Sequence, residues 1–268
     1  MDEILRNLRS EARVLDLGSR TGSFPSEGYP GLFTVRLDRE FPAYPCGAGF
    51  VQADASRVPF RDGSFDAVIA NHSLEHMDQL ASVLQEIGRV VRSDGSVYVA
   101  VPDGSSLTDR LYRWVYHGGG HVNFFRSAGQ ISQFISDATG LRLVAMRVLH
   151  SSLGFLARRH FLPRPPRRLW LFGNGNQKLI AALNYVLRVL DRLLRTRMSV
   201  YGWAFYFGDV REAIATIPWT NVCVNCGAGH SAASLAVNGL VRRSFFAPRS
   251  YNCPNCGGWN LFTEDVGG

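Results

Sequence analysis

Lysine is almost missing from this chain. Of its 29 basic residues only Lys178 is not arginine, a bias that reads as genomic, so what matters is where the charge lies. Long apolar runs are missing too. Although 46% of the residues are apolar, no stretch approaches the roughly 18 consecutive apolar residues of a membrane span. The opening residues MDEILRNLRSEA carry acids early and have no long apolar core, so they do not read as a secretory signal, and a cytoplasmic location is expected. Cysteine is scarce, at five residues: Cys223, Cys226, Cys253 and Cys256 form two C-x-x-C pairs, and Cys46 is left over. Without an export signal such pairs point to metal ligation rather than to a disulfide set. Acid is nearly absent from residues 151–198, where ten Arg or Lys meet one carboxylate, Asp191. That segment carries +9, leaving −2 for the remainder of a chain of net +7. No internal repeat is evident.

Short β-rich runs alternate with helical or loop stretches through about residue 150. RVLDL (13–17), FTVRL (33–37), FVQA (50–53), DAVIAN (66–71) and SVYVAV (96–101) read as buried parallel strands. Residues 76–92 place Leu80, Val83, Leu84, Ile87, Val90 and Val91 on one helical face. Residues 126–140 read as a second helix, with Ser127 as cap and Gly140 as stop. Strands at 141–149 and 200–208 close the sheet as an antiparallel pair. The pattern is that of a doubly wound, mostly parallel α/β sheet. An insertion separates the last two strands. Prolines break its first half, and its second half is an amphipathic helix with Leu179, Leu183, Val186, Leu187, Leu190, Leu193 and Leu194 on one face and Arg188, Arg192 and Arg195 on another. Four segments follow: a core over 1–150, the basic amphipathic insertion over 151–199, a closing strand over 200–217, and a Cys-bearing tail over 218–268.

The stretch ADASRVPFRDGSFDAVIANHSLEHM (53–77), followed by LQEIGRVVRSDGSVYVAVP (84–102) and HVNFF (121–125), resembles in order and content the class I S-adenosylmethionine-dependent methyltransferases with a small-molecule type core. The resemblance covers roughly residues 10–150 and extends toward 208. It implies a Rossmann-like methyltransferase fold and S-adenosylmethionine as cofactor, a sulfonium with an amino-acid end, a ribose diol and an adenine. Asp16, Gly18, Arg20, Gly22, Asp38, Asp54, Ala55 and Asn71 are then its expected contacts. Gly18 and Gly22 allow close backbone approach. Asp38, at the end of the second strand, can accept the ribose hydroxyls, Asp54 the adenine amino group, and Ala55 can donate its N–H to the ring. The loop VLDLGSRTGSFP departs from the family pattern. Arg20 stands where a glycine is expected, and Pro25 where a helix should follow, so the first crossover helix is expected to be lost or shortened. A guanidinium at this place can still meet a carboxylate.

Methyl transfer is an in-line displacement in which orientation supplies much of the rate, with a base needed only for a protonated acceptor. Asn71, His72, Glu75, His76, Asp103 and His121 are placed for the sheet's C-terminal edge, with His121 and His76 as the catalytic candidates. In the tail, CVNCG and CPNCG form a tetrahedral-metal signature resembling a zinc ribbon, with Cys223, Cys226, Cys253 and Cys256 holding a structural Zn²⁺; the same spacing admits iron. The segment between the pairs (231–248) reads as strand-like. The leading expectation is methyl transfer to a small-molecule, glycan or lipid-linked acceptor, with the basic insertion covering the site or resting on anionic membrane. An RNA methyltransferase using Arg242, Arg243 and Arg249 beside Phe245 and Phe246 is the alternative, and a non-catalytic binding protein the third.

Overall fold

In the computed structural model the described residues are 1–42, 49–161, 166–210, 219–244 and 247–265. Cys46, Phe245 and Phe246 lie outside them. The chain forms two compact units. Unit 1 holds Met1–Pro102, Gly120–Arg147 and the strand residues from Trp203; unit 2 holds Asp103–Gly119, Val148–Gly202 and the tail.

One sheet has seven strands, all in unit 1 but for Val148–His150 and Val200–Gly202: β1 (Arg13–Leu17), β2 (Phe33–Asp38), β3 (Gly49–Gln52), β4 (Phe65–Asn71), β5 (Val91–Pro102), β6 (Leu143–His150) and β7 (Val200–Gly208), in the order β3-β2-β1-β4-β5-β7-β6. The first five pair in parallel, with Leu15 opposite Val35 and Val68. The Gly208 N–H donates to Arg142 O and the Ser151 N–H to Ser199 O, so the start of β6 lies against the end of β7 and the pair is antiparallel. β1, β4 and β5 are buried on both faces, and for that reason read as continuous apolar runs. After the single turn α1 (Asp2–Leu5), the main crossover helix is α2 (Leu80–Val90), which buries Val83, Leu84, Ile87 and Val90. Each such aliphatic side chain contributes about 1.5–3 kcal/mol. The sequence reading started this helix at residue 76, but Leu74–His76 is a separate 3₁₀ turn. Between β1 and β2 the described residues hold only a 3₁₀ turn, Ser26–Gly28; Pro25 and Pro30 leave no room for a longer helix.

Unit 2 begins with α3 (Leu107–Val115), which the sequence reading passed over although Ser106 caps it, its hydroxyl accepting the Asp109 N–H at 3.1 Å. In unit 1, α4 (Ala128–Thr139) has the expected cap and stop, Ser127 and a left-handed Gly140. The long helix α5 (Gln177–Leu194) is capped by Asn176. Val115, Leu153, Leu156, Leu169, Ile180, Leu187 and Val224 share one core, so α3, α5 and the first Cys pair's loop pack together.

The expected leucine face of α5 turns inward only in part: Leu187 is buried and Leu183 packs against the core, but Leu179, Val186, Leu193 and Leu194 are exposed. Asn184, Arg188 and Asp191 are buried together with Ile180, Ala181 and Leu187. Arg188 donates to Ser151 O at 3.1 Å and Val222 O at 3.4 Å. Asp191 accepts from the Thr196 hydroxyl and from the Met198 and Ser199 N–H groups at 2.6–2.7 Å, turning the chain after the helix. Hydrogen bonds to backbone groups hold these polar side chains inside.

The tail forms the pair β8 (Asn221–Val222) and β9 (Gly229–His230), a helix α6 (Ala232–Val237), and the antiparallel sheet β10 (Val241–Arg242), β11 (Ser250–Asn252) and β12 (Trp259–Leu261). The strand-like reading of 231–248 is therefore corrected at its start. Ser231 caps α6 through the Ser234 N–H, and Asp265 takes the Ala232 N–H, so a helix nucleates where alanine predominates.

Candidate active site and metal centre

The C-terminal ends of β1, β2 and β4 collect the side chains of interest in unit 1. Asp16 is fully buried at the end of β1, and burial raises its pKa above the usual carboxylate value. Its Oδ2 accepts the Ser23 N–H at 2.8 Å, while Oδ1 has no hydrogen-bond partner among the described residues. Gly18 has φ +67, and a Cβ there would collide with Ser73. Gly22 has φ +112, and a Cβ there would fall within the guanidinium of Arg36.

Arg36 is the residue that sequence reasoning missed. It sits buried in mid-strand on β2, donates to Phe24 O at 3.0 Å and lies 4.0 Å from Asp16. A charged residue inside the apolar run FTVRLD was the available signal. Where this fold ordinarily sets a helix N-terminus under such a loop, the chain supplies a guanidinium.

Arg20 takes the left-handed backbone normally left to glycine (φ 44). Its N–H donates to Asp38 Oδ2 at 3.0 Å, and its side chain turns outward to Glu40 at 2.7 Å. Asp38 also accepts the Glu40 N–H at 3.0 Å. Each carboxylate oxygen keeps a second acceptor site, so Asp38 can still take a diol. Asp54 is further engaged: it accepts the Ser56 N–H at 2.9 Å and pairs with Arg39 at 2.7 Å, contacts that hold its pKa below the usual value. Ala55 is buried beside it. Asn71 closes β4 and is half-buried.

Beyond β4 the chain turns through His72, a non-glycine residue at φ +53, and such strain concentrates at functional places. Burial pushes the His72 imidazole down to about 4. Glu75 is buried, and its carbonyl accepts the Val122 and Asn123 N–H groups at 2.8 and 3.0 Å. The Asn123 amide donates to Leu74 O and Met77 O, so residues 122–123 are clamped onto this turn. The clamp brings two sequence-distant candidates together: the His76 and His121 rings stand 5.0 Å apart, edge to face. His76 Nδ1 lies 2.9 Å from Gly120 O. A carbonyl can only accept, so Nδ1 carries the proton and Nε2 keeps the lone pair. Desolvation lowers the His76 pKa below the ordinary imidazole value. Donor atoms of Glu75, His76 and His121 all lie within 4.8 Å of one another. Phe125 is buried and Phe124 exposed. Asp103 belongs to unit 2, where it accepts from the Ser105 N–H and hydroxyl in a tight turn.

The four tail cysteines converge. Sγ of Cys223 is 3.7 Å from that of Cys256, and Sγ of Cys226 is 3.6 Å from that of Cys253. A disulfide would bring sulfurs to about 2.05 Å. A tetrahedron with metal–sulfur bonds of about 2.3 Å has edges of about 3.8 Å, close to what is seen. The two loops are built alike: the Gly227 N–H donates to Cys223 O and the Gly257 N–H to Cys253 O, each glycine left-handed. The Asn225 and Asn260 amides donate to sulfurs of Cys256 and Cys223 at 3.4 Å, which favours thiolates. The donor set thus fits a thiophilic tetrahedral ion. Of the residues proposed for nucleic acid, Arg249 is paired with Glu264 and stacked over Phe262.

Residues 34–99 match the methyltransferase-domain family. A demethylmenaquinone methyltransferase of Roseiflexus castenholzii is 35% identical over 118 residues, 39% of this chain and 49% of that protein. A malonyl-[acyl-carrier protein] O-methyltransferase of Legionella pneumophila is 28% identical over 126 residues, 42% and 44% respectively. The chain spans about half the length of these curated relatives. The YcgJ protein from Bacillus subtilis superposes with a TM-score of 0.50 at 17% identity, covering 77% of this chain and 95% of that one. Phosphoethanolamine N-methyltransferase 2 of Haemonchus contortus, solved with S-adenosyl-L-methionine, gives 0.50 at 15%, covering 78% and 51%. The doubly wound, Rossmann-like methyltransferase fold is thereby established.

Proposed function

We propose that unit 1 binds S-adenosylmethionine and transfers its methyl group to a small molecule, with an apolar or lipid-linked acceptor favoured over a glycan or RNA. The observation that carries this is the buried Asp16, with one carboxylate oxygen unpartnered, beneath a Gly18–Gly22 loop that hydrogen-bonds to Asp38. An acceptor atom buried without a partner suits the cofactor's ammonium group, and Asp38 suits its diol. Asp54 reads adenine only by sharing its carboxylate with Arg39. Arg36 gives the loop a positive charge that a helix end does not provide here.

When bound, the cofactor supplies an electrophilic methyl on sulfur. The residues of the chain hold the acceptor in line, exclude water, and take a proton where the acceptor has one to lose. His76 Nε2 is built for that proton, since its other nitrogen is fixed on Gly120 O; His121 stands beside it as the acceptor's second contact. The names of the relatives, a quinone and a malonyl-carrier methyltransferase, support a small acceptor. The pairing of Arg249 with Glu264 weighs against RNA. We further assign the four-cysteine site to a structural zinc, since four thiolates close the coordination sphere.

Titration with S-adenosylhomocysteine tests the reading. Saturable binding is expected, weakened at least about tenfold by Asp38→Ala, since hydrogen bonds to charged groups are worth ~1.5–3 kcal/mol. No calorimetric or thermal response at millimolar ligand would remove the enzyme from consideration.

A further inference from the structure

Helix α5 presents apolar side chains outward. A helix turns about 20° short of two full turns over seven residues, so Leu179, Val186 and Leu193 line up along one stripe. All three are exposed, Leu193 to 72% and Leu194 beside it to 63%. The opposite arc is buried and carries Asn184, Arg188 and Asp191. At the N-terminal end of the stripe, Gly173 packs directly against Leu179. This sets the 3₁₀ turns of Arg167–Gly175, kinked at Phe172–Asn174, beside it, with Trp170 at 72% and Leu171 at 75% exposure.

The charged side chains that residues 151–198 themselves expose are all basic, and the nearby Glu264 is paired with Arg249. Arg167, Lys178, Arg192, Arg195 and Arg197 are exposed. The segment's single acid, Asp191, is buried and spent on the turn after the helix. Among the described residues of 151–198 no carboxylate is left outside to neutralise them.

We propose that this face of unit 2 docks on an anionic lipid bilayer, with the leucine stripe and Trp170–Leu171 in the interfacial layer and the arginines on the headgroups. Three features favour that occupant. Tryptophan and arginine suit the boundary, where one end is apolar and the other wet. A second copy of the chain would set cations against cations. Nucleic-acid phosphates would use the arginines and leave the leucines in water. The inference shares with the methyl-transfer reading only the idea of an apolar acceptor, and its test is read separately.

The 268-residue protein, metal-loaded, is sedimented with vesicles of phosphatidylcholine alone or mixed with phosphatidylglycerol, at low and high salt. Binding to the anionic vesicles is expected, reduced but not abolished by salt. The triple variant Leu179→Ser/Val186→Ser/Leu193→Ser should lose roughly tenfold or more of the vesicle affinity. A second variant, Trp170→Ser/Leu171→Ser, lies outside the helix and should lose affinity even if the triple variant loses helix content by circular dichroism. Protein left in the supernatant at low salt overturns the proposal. So does equal binding by wild type and both variants, a dimer abolished by the triple variant without vesicle binding, or a salt-sensitive RNA shift without it. S-adenosylhomocysteine titration on the same preparations separates this outcome from failure of the methyl-transfer reading.

Discussion

Replacing Asp16 with asparagine should make the ligand-free protein more stable and a poorer cofactor binder. Asp16 is fully buried, one oxygen has no partner, and Arg36 is 4.0 Å away, at the edge of an ion pair. Burial outweighs these partial compensations and raises the carboxyl pKa. The folded state therefore holds a proton that the unfolded chain has already released, so stability is greatest below the unfolded-state pKa near 4 and falls as pH rises through the folded value. Asparagine keeps an oxygen for the Ser23 N–H and abolishes the titration. A higher Tm at neutral pH than that of the wild type is therefore expected, with the difference shrinking toward pH 4. Loss of a charge-assisted contact to the cofactor's ammonium group should weaken S-adenosylhomocysteine about 10- to 150-fold. Thermal melts from pH 4 to 8 and calorimetric titration measure both. An Asp16→Asn protein that is less stable at pH 7, retains the wild-type pH slope, or binds ligand undiminished would refute the reasoning.

Other outcomes follow from the same geometry. Purified protein should contain about one zinc per chain, and Cys226→Ser/Cys256→Ser should abolish it; because Val224 belongs to the same core as α5, the loss should lower the melting of unit 2 as a whole, and a metal-free preparation with an unchanged melt would contradict this. Arg188→Met should cost about 2–4 kcal/mol in urea unfolding, since two buried carbonyls lose their donor; a change below about 0.5 kcal/mol would show that water replaces it.

Much of unit 1 was legible in the chain. Strands buried on both faces must be apolar throughout, so β1, β4 and β5 announced themselves. The capping serine and terminal glycine of α4 are local chemistry, and so is the turn-rich stretch between β1 and β2 that leaves no helix there. The cysteine pairs were legible because ligand spacing is written in sequence. What the sequence left undecided depends on partners distant along the chain. Arg36 looks like an ordinary strand residue until β1 and the Gly22 loop close over it. His76 and His121 become neighbours only when Asn123 clamps onto the turn after β4. The orientation of α5 is the sharpest case. Periodicity locates two faces of a helix, but which one turns inward is settled by what waits there, and here backbone carbonyls and a chain reversal hold Arg188 and Asp191 inside beside Leu187 and leave Leu179, Val186, Leu193 and Leu194 outside.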